Sequence, residues 1–329
     1  MERSVSDEDL VLRSIRAIFS SDPIDPEVAI EVVRIAARLN VSVLFGLNEL
    51  RLLCSDGSWV VAGDHPLLCV NSDIDRLLPQ DGAAVQVVSD AHWTGLDRAE
   101  REHLLEWMRD PDKLGLSEFP MPQHTYTAGS PYKHVFDKRS ALEAFCCERG
   151  GKEPDSYPLK THWYPVDTYD WPESYWRHWQ EEAQERPSIW SEIAWRILRS
   201  WSPRWKKTEK AVVRQKGRVL NVGPVAAEWL FRLRQTACVP TETGEMRLPQ
   251  QVYRKTAETH VLAGTEEFVA LAWDQPEFAA ALDALGVKAK PDGYESVLAR
   301  LRMHAAASNA KIELTIPLFQ SLERMLPTL

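Results

Sequence analysis

The stretch Asp25-Pro26-Glu27-Val28-Ala29-Ile30-Glu31-Val32-Val33-Arg34-Ile35-Ala36-Ala37-Arg38-Leu39-Asn40, followed by the apolar runs Leu50–Cys54 and Ser58–Ala62 on either side of Ser55-Asp56-Gly57, decides the fold class. Asp25 stands where a side-chain oxygen can accept from the unpaired N–H groups of a helix start. Pro26 suits the first helical position, and Glu27 meets the positive end of the helix dipole. Val28, Val32, Ile35, Ala36 and Leu39 recur at helical spacing, and Asn40 is a reasonable stop. The Asp-Gly that follows predicts a hairpin, because glycine tolerates the positive φ of a tight turn. A helix leading into a hairpin is an α+β pattern.

Working outward, Ser6 is expected to cap a helix carrying Leu10, Leu12, Ile15, Ile18 and Phe19, and Val41–Phe45 and Ala83–Val88 read as strands. Helices are predicted near Arg98–Arg109, over Ala141–Arg149 with Ser140 as cap, and over Pro172–Glu185, Pro187–Trp201 and Pro224–Arg234. Residues 110–138 and 152–171 read as loops. Past a second turn between Cys238 and Pro249, Asp274 is expected to cap a helix to Leu285 that Gly286 closes. A long helix from Pro291 or Asp292 to about Ala307 and a last one over Ile316–Met325 complete the pattern. The expectation is a predominantly helical α+β protein of two modules, each with a small β-hairpin or antiparallel sheet. Residues 1–205 would form one, with a Trp-rich helical segment, and residues 206–329 the other, the boundary falling within 200–222. Leu52–Trp59 and Cys238–Met246 share a helix-strand-turn-strand shape, which raises an internal duplication.

At 329 residues, 44% hydrophobic and 26% charged, the composition excludes wholesale disorder. No run approaches the roughly 20 apolar residues of a membrane span, and the amino terminus does not read as a signal peptide. Cys54, Cys69, Cys146, Cys147 and Cys238 are odd in number and contain no CxxC, which fits reduced thiols in the cytoplasm rather than a disulfide framework or zinc site. The net charge of −9 resides in the first hundred residues, with 17 acidic and 8 basic side chains, so non-specific nucleic-acid binding by the whole chain is not expected.

Catalytic motifs fail in turn. There is no phosphate-binding GxxxxGK[ST], no GxSxG elbow and no HExxH, and no cofactor is expected. His162, Asp167 and Asp170 share one aromatic loop, with His178 nearby in sequence beside Glu181 and Glu182, and could form an acid–base group. A polar loop needs such residues for turns and solubility alone. Cys146 could have a lowered pKa near a helix start, against the blander reading of an inert buried thiol.

Two surfaces could bind. Of the 13 tryptophans, Trp163, Trp171, Trp176, Trp179, Trp190, Trp195, Trp201 and Trp205 fall in one short region. Their helical spacing favours core packing over a recognition surface. Arg199, Arg204, Lys206, Lys207, Lys210, Arg214, Lys216 and Arg218 follow, with Trp201 and Trp205 among them. Basic groups neutralise phosphate and aromatic faces stack on bases, so nucleic acid is one candidate partner of this segment. A solvated linker between modules is the alternative.

The run from Trp229 to Arg302 resembles the region downstream of the ATPase domain in bacterial sacsin-like proteins, which carry a GHKL-type ATPase fold at the front. The residues concerned are Val239-Pro240-Thr241, Gly244, Leu248-Pro249, Val252-Tyr253, Leu285-Gly286-Val287 and Pro291-Asp292 ahead of Val297-Leu298 and Leu301-Arg302. Residues 47–69 look like a degraded earlier copy. The family's nucleotide-binding motifs are missing, since Asp56-Gly57 runs into Ser58-Trp59, so nucleotide binding is not carried over. The resemblance implies a non-catalytic interaction or scaffold region of such an ATPase system, with a defence or chaperone-like role. Its partner would be a protein, the GHKL-type ATPase region in the same or a neighbouring chain. The end at Pro327-Thr328-Leu329, just after a helix, is what a piece of something longer would show.

Overall fold

The computed structural model of the chain describes residues 7–20, 23–41, 50–62, 68–69, 75–79, 86–110, 112–125, 132–262, 266–291, 294–306 and 312–325. Ser6, most of Val41–Phe45, Ala83 to Val85 and Asp292 lie outside them. By internal packing the chain divides into two units, Met1–Pro122 with Trp171–His178, and Gln123–Asp170 with Trp179–Leu329. The whole of 200–222 therefore falls inside the second unit, away from the boundary expected at 205.

The first unit holds α1 (Asp7–Phe19), α2 (Pro26–Arg38), β1 (Arg51–Leu53), β2 (Trp59–Val61), β3 (Leu68–Cys69), β4 (Val87–Val88) and α3 (Arg98–Arg109). Asp25 caps α2 by accepting from the N–H groups of Glu27 and Val28 at 3.1 and 3.3 Å. Asn40 ends it in the left-handed region at φ +54°. A capping box of Asp97 and Glu100 starts α3. Ile15 of α1, Val33 and Ala36 of α2, Leu104 and Met108 of α3, and Leu50 and Leu52 beside the β1–β2 hairpin share one core. The Arg34 guanidinium ties α2 to a short 3-10 turn by donating to the carbonyls of Ala91, His92 and Thr94 at 2.9–3.1 Å. Trp171 donates its indole N–H to the Pro120 carbonyl at 2.8 Å and packs edge-on against Phe119 and Trp176.

The second unit begins with β5 (Gln123–His124), β6 (His134–Phe136), α4 (Arg139–Glu148), β7 (Tyr164–Asp167) and β8 (Tyr169–Asp170). From Trp179 it takes in the rest of α5 (Glu173–Glu185), then α6 (Ile189–Ser200), α7 (Pro203–Thr208), β9 (Val212–Gln215), β10 (Arg218–Val219) and α8 (Glu228–Arg234). It closes with β11 (Val239–Pro240), β12 (Met246–Arg247), β13 (Val252–Tyr253), β14 (Glu267–Phe268), α9 (Ala279–Leu285), α10 (Tyr294–Ala306) and α11 (Ile312–Met325). An antiparallel sheet of order β10-β9-β7-β6 packs α4 over Tyr164, Val166 and Val213, and β5 pairs with β8. The fold is α+β, with eleven α-helices among the described residues and sheets of two to four strands. Among those residues no helix is long and apolar enough to cross a membrane.

The two hairpins are structural repeats. Cys54 N–H donates to Ser58 O at 2.8 Å, as Thr241 does to Glu245, and Gly57 donates to Cys54 O at 2.9 Å, as Gly244 does to Thr241. Ser55 donates to Val87 O and Ser89 to Leu53 O, and Glu242 to Phe268 O and Ala270 to Pro240 O repeat the scheme within 0.1 Å. The parallel pair β3–β4 follows the first hairpin as β13–β14 follows the second. The turn glycines match at φ +82° and +86°.

Several sequence expectations are corrected. The loops expected over 110–138 and 152–171 contain β5, β6, β7 and β8. Segment 199–218 is no solvated linker, because it forms α7 and the β9–β10 hairpin. Ser140 lies inside α4, whose cap position is Lys138. Pro224 does not open α8, since Val225 and Ala226 pair with Ala211 and Lys210 and hold the chain extended up to Ala227. Asp274 caps no helix, because its carboxylate accepts from the Arg254 guanidinium and the Lys255 N–H.

Candidate functional site

A group of charged side chains in the second unit gathers where β6, β8, α4 and α8 meet. Ala227, the cap residue of α8, offers no side-chain oxygen, so Thr168 Oγ1 accepts the Glu228 N–H at 2.9 Å. This fixes Glu228 at the helix start, where the dipole favours a carboxylate. The Glu228 carboxylate accepts from Arg149 at 3.2 Å and contacts His134 Nε2 at 3.2 Å. Asp170 accepts from Lys133 Nζ at 2.8 Å, and Arg232 Nε lies 3.7 Å from Asp170 and 3.8 Å from Glu228. One connected network results.

The arrangement has a back and a front. The Asp170 and Glu228 side chains are 1% and 10% exposed, whereas Lys133, Arg232 and His134 are 31%, 26% and 25% exposed. Arg149 lies at the back, its guanidinium carbon 3.9 Å from the ring centres of both Phe145 and Phe231. Burial pushes the Glu228 carboxyl up, but the His134 hydrogen bond and the charges of Arg149, His134 and Lys133 outweigh it and hold the group down at about 2. A second ion-pair group lies on β7, where Asp167 pairs with Arg214 and approaches His124 at 3.4 Å.

The residues singled out from sequence are placed as follows. Arg199, Lys206, Lys207 and Lys210 are exposed, and Arg204 and Trp201 are half-buried. Arg214 is engaged with Asp167. Trp205 is completely buried against Trp201 and Trp229, so it offers no face for a base. Of the other tryptophans in the region, Trp171, Trp176 and Trp179 are buried and Trp163 is half exposed. His162 is exposed, Asp167 is held by Arg214, and His178 Nε2 lies 2.8 Å from the Arg76 carbonyl. Asp167 and His178 thus have separate partners. Cys146 sits in the last turns of α4, where burial first, then the neighbouring Cys147, pushes its thiol up to about 11. It is a buried thiol. Among the described residues no three His, Cys, Asp or Glu side chains gather in a metal-binding group.

Asp170 alone was picked out from sequence, and for a different partnership. Lys133, His134, Arg149, Glu228 and Arg232 carried no joint signal, because β6, the end of α4 and α8 lie far apart in the sequence and only Glu228 and Arg232, four apart on α8, share a spacing. No family model matches the chain, and comparison with curated proteins and with solved structures finds no significant match.

Proposed function

We propose that the chain is a non-catalytic interaction region, a scaffold that holds a protein partner on a framework of repeated helix-and-hairpin modules. The observation that supports this best lies on the last two helices. Val297 of α10 and Leu318 of α11 are buried in a shared core, yet Met303, Ile316 and Phe319 remain 51%, 52% and 59% exposed. Large apolar side chains left outside a helical pair are the usual means of helix-mediated docking. The resemblance to sacsin-like proteins makes a GHKL-type ATPase region the partner to test, in a cytoplasmic, defence or chaperone-like assembly. Titrating the chain with such a region encoded beside it should give a complex, weakened at least about tenfold by Ile316→Ser with Phe319→Ser. No complex, or an unchanged affinity, counts against the reading.

A second reading is favoured by the exposure of Arg199, Lys206, Lys207, Lys210 and Arg218 along α6, α7 and β10. These would meet phosphates rather than bases, since Trp205 is buried. Binding of labelled DNA and RNA at two salt concentrations should then fall steeply with salt and with Lys206, Lys207 and Lys210 replaced by Ala. Absence of binding at low salt ends it.

A further inference from the structure

We propose that the His92–Leu53 hydrogen bond is a proton-operated latch on the first hairpin, which opens in acid while its structural copy, the second hairpin, stays shut. His92 ends the short 3-10 turn Asp90–His92 and is completely buried. Its Nε2 accepts the Leu53 N–H at 3.1 Å, so the neutral ring carries its proton on Nδ1, which meets no acceptor among the described residues. A second proton can go only to Nε2. Both ring nitrogens then donate, and the Leu53 N–H faces a donor in place of its acceptor. A buried charged ring without an acceptor is costly, so the ring leaves for water. The turn also ties the Leu53 carbonyl through the Ser89 N–H at 2.9 Å, so β1 loosens when the turn moves.

The second copy is built at the same place without a latch. Cys54 corresponds to Thr241 and Ser89 to Ala270 in the shared hydrogen-bond scheme. One residue before the first pair stand Leu53 and Pro240, and three after the second stand His92 and Trp273. Pro240 has no N–H to satisfy. Trp273 offers no acceptor and gains no proton in acid; it is buried against Trp195 and Phe278, with ring centres 5.4 and 5.3 Å away. The acceptor stands where a donor needs one and is absent where the donor is absent. Around His92, Arg34 of α2 donates to its carbonyl at 2.9 Å and opposes a charge on the ring. Glu31 pairs with Arg34 at 3.5 Å, and Asp56 in the hairpin turn accepts from Ser58. Arg51 on β1, Asp90 on the turn itself and Arg101 on α3, over the Trp93 ring at 5.9 Å, do not offset Arg34. The Cys54 thiol, pushed up to about 11 by burial first, stays neutral. Opening takes up a proton: the ring titrates at about 4 when closed and at 6.5 in water, so opening gains as the pH falls between these values. The latch does not depend on the scaffold reading.

The test is amide hydrogen exchange of the intact protein from about pH 7 to about 4.5, corrected for the intrinsic pH dependence of exchange. Protection of the Leu53 and Cys54 amides should fall at least about tenfold across that range, while protection of Thr241 and Gly244 holds. The second hairpin thus serves as a control within the same chain. His92→Gln keeps an acceptor for Leu53 and cannot charge, so it should abolish the fall in the first hairpin. The comparison of the two hairpins needs no variant and decides the matter if His92→Gln fails to fold. Equal loss in both hairpins, no loss in either, or a fall that persists in His92→Gln overturns the proposal.

Discussion

Trp205 and Trp229 meet edge to face with ring centres 5.7 Å apart, and both are completely buried. The Trp229 indole N–H donates to the Thr208 carbonyl at 2.8 Å, and Thr208 Oγ1 donates to the Trp205 carbonyl at 2.9 Å, so α7 and α8 are joined by polar as well as apolar contacts. Trp201 closes the group at 6.3 and 6.4 Å from the two rings while remaining half-buried. Trp205→Ala should therefore cost about 3–5 kcal/mol, and Trp201→Ala distinctly less. Denaturant titration of the two variants checks the order. Equal losses would mean that the triad is not packed as described.

Glu228→Gln keeps the shape of the side chain and removes its charge. Arg149, enclosed between Phe145 and Phe231, would then keep Glu148 as its one charged partner among the described residues. The expected loss is about 3 kcal/mol, the scale for breaking a buried pair. The pH dependence has a definite sign. With its folded value held at about 2 against an ordinary 4.5, Glu228 contributes stability that is complete above 4.5 and disappears as the pH falls through 2. Unfolding followed across that window should be flatter for Glu228→Gln than for the wild type.

Helix α2 and the hairpin after it were legible because their signals are local: Asp25 and Pro26 at a helix start, Asn40 at its end, and Asp56-Gly57 in a turn. The four-stranded sheet was not. Its strands are two to four residues long, and β7 carries Pro165, which sequence rules place at edges and turns. Pairing β7 with β6 on one side and β9 on the other brings together segments that are dozens of residues apart, and no local pattern encodes that. The same reason hid the charged group, since Glu228 and His134 meet only after the sheet and α8 have formed. The repeat was half visible. Its backbone scheme is preserved from Leu53-Cys54-Ser55 to Pro240-Thr241-Glu242, but the side chains are not.

His92 supplies a second pH-dependent contribution, in the first unit. It is completely buried, and its Nε2 accepts the Leu53 N–H at 3.1 Å. Burial, aided by the Arg34 charge, brings the imidazole down from 6.5 to about 4. A histidine whose folded value is depressed binds its proton more readily when unfolded. Stability is therefore complete above 6.5 and falls as the pH drops towards 4, by an amount on the order of 3 kcal/mol. His92→Gln, which keeps an acceptor for Leu53 and cannot charge, should flatten stability over that window, checked by denaturant titrations at a series of pH values. An unchanged acid limb would place the titration elsewhere.

The repeat itself can be tested at its turns. Gly57 and Gly244 adopt φ +82° and +86°, and an added Cβ at either would meet no atom within 4 Å. Crowding is therefore absent at both, and only the left-handed backbone opposes a side chain, at about 1–2 kcal/mol. Gly57→Ala and Gly244→Ala should each cost that amount, and the two costs should be alike although the flanking residues, Asp56 and Ser58 against Thr243 and Glu245, differ. Asparagine tolerates this conformation better than alanine, so Gly57→Asn and Gly244→Asn should recover part of the loss in both copies. Denaturant midpoints of the four variants provide the comparison. If one turn accepts alanine freely while the other does not, the shared hydrogen-bond scheme does not impose a common backbone strain.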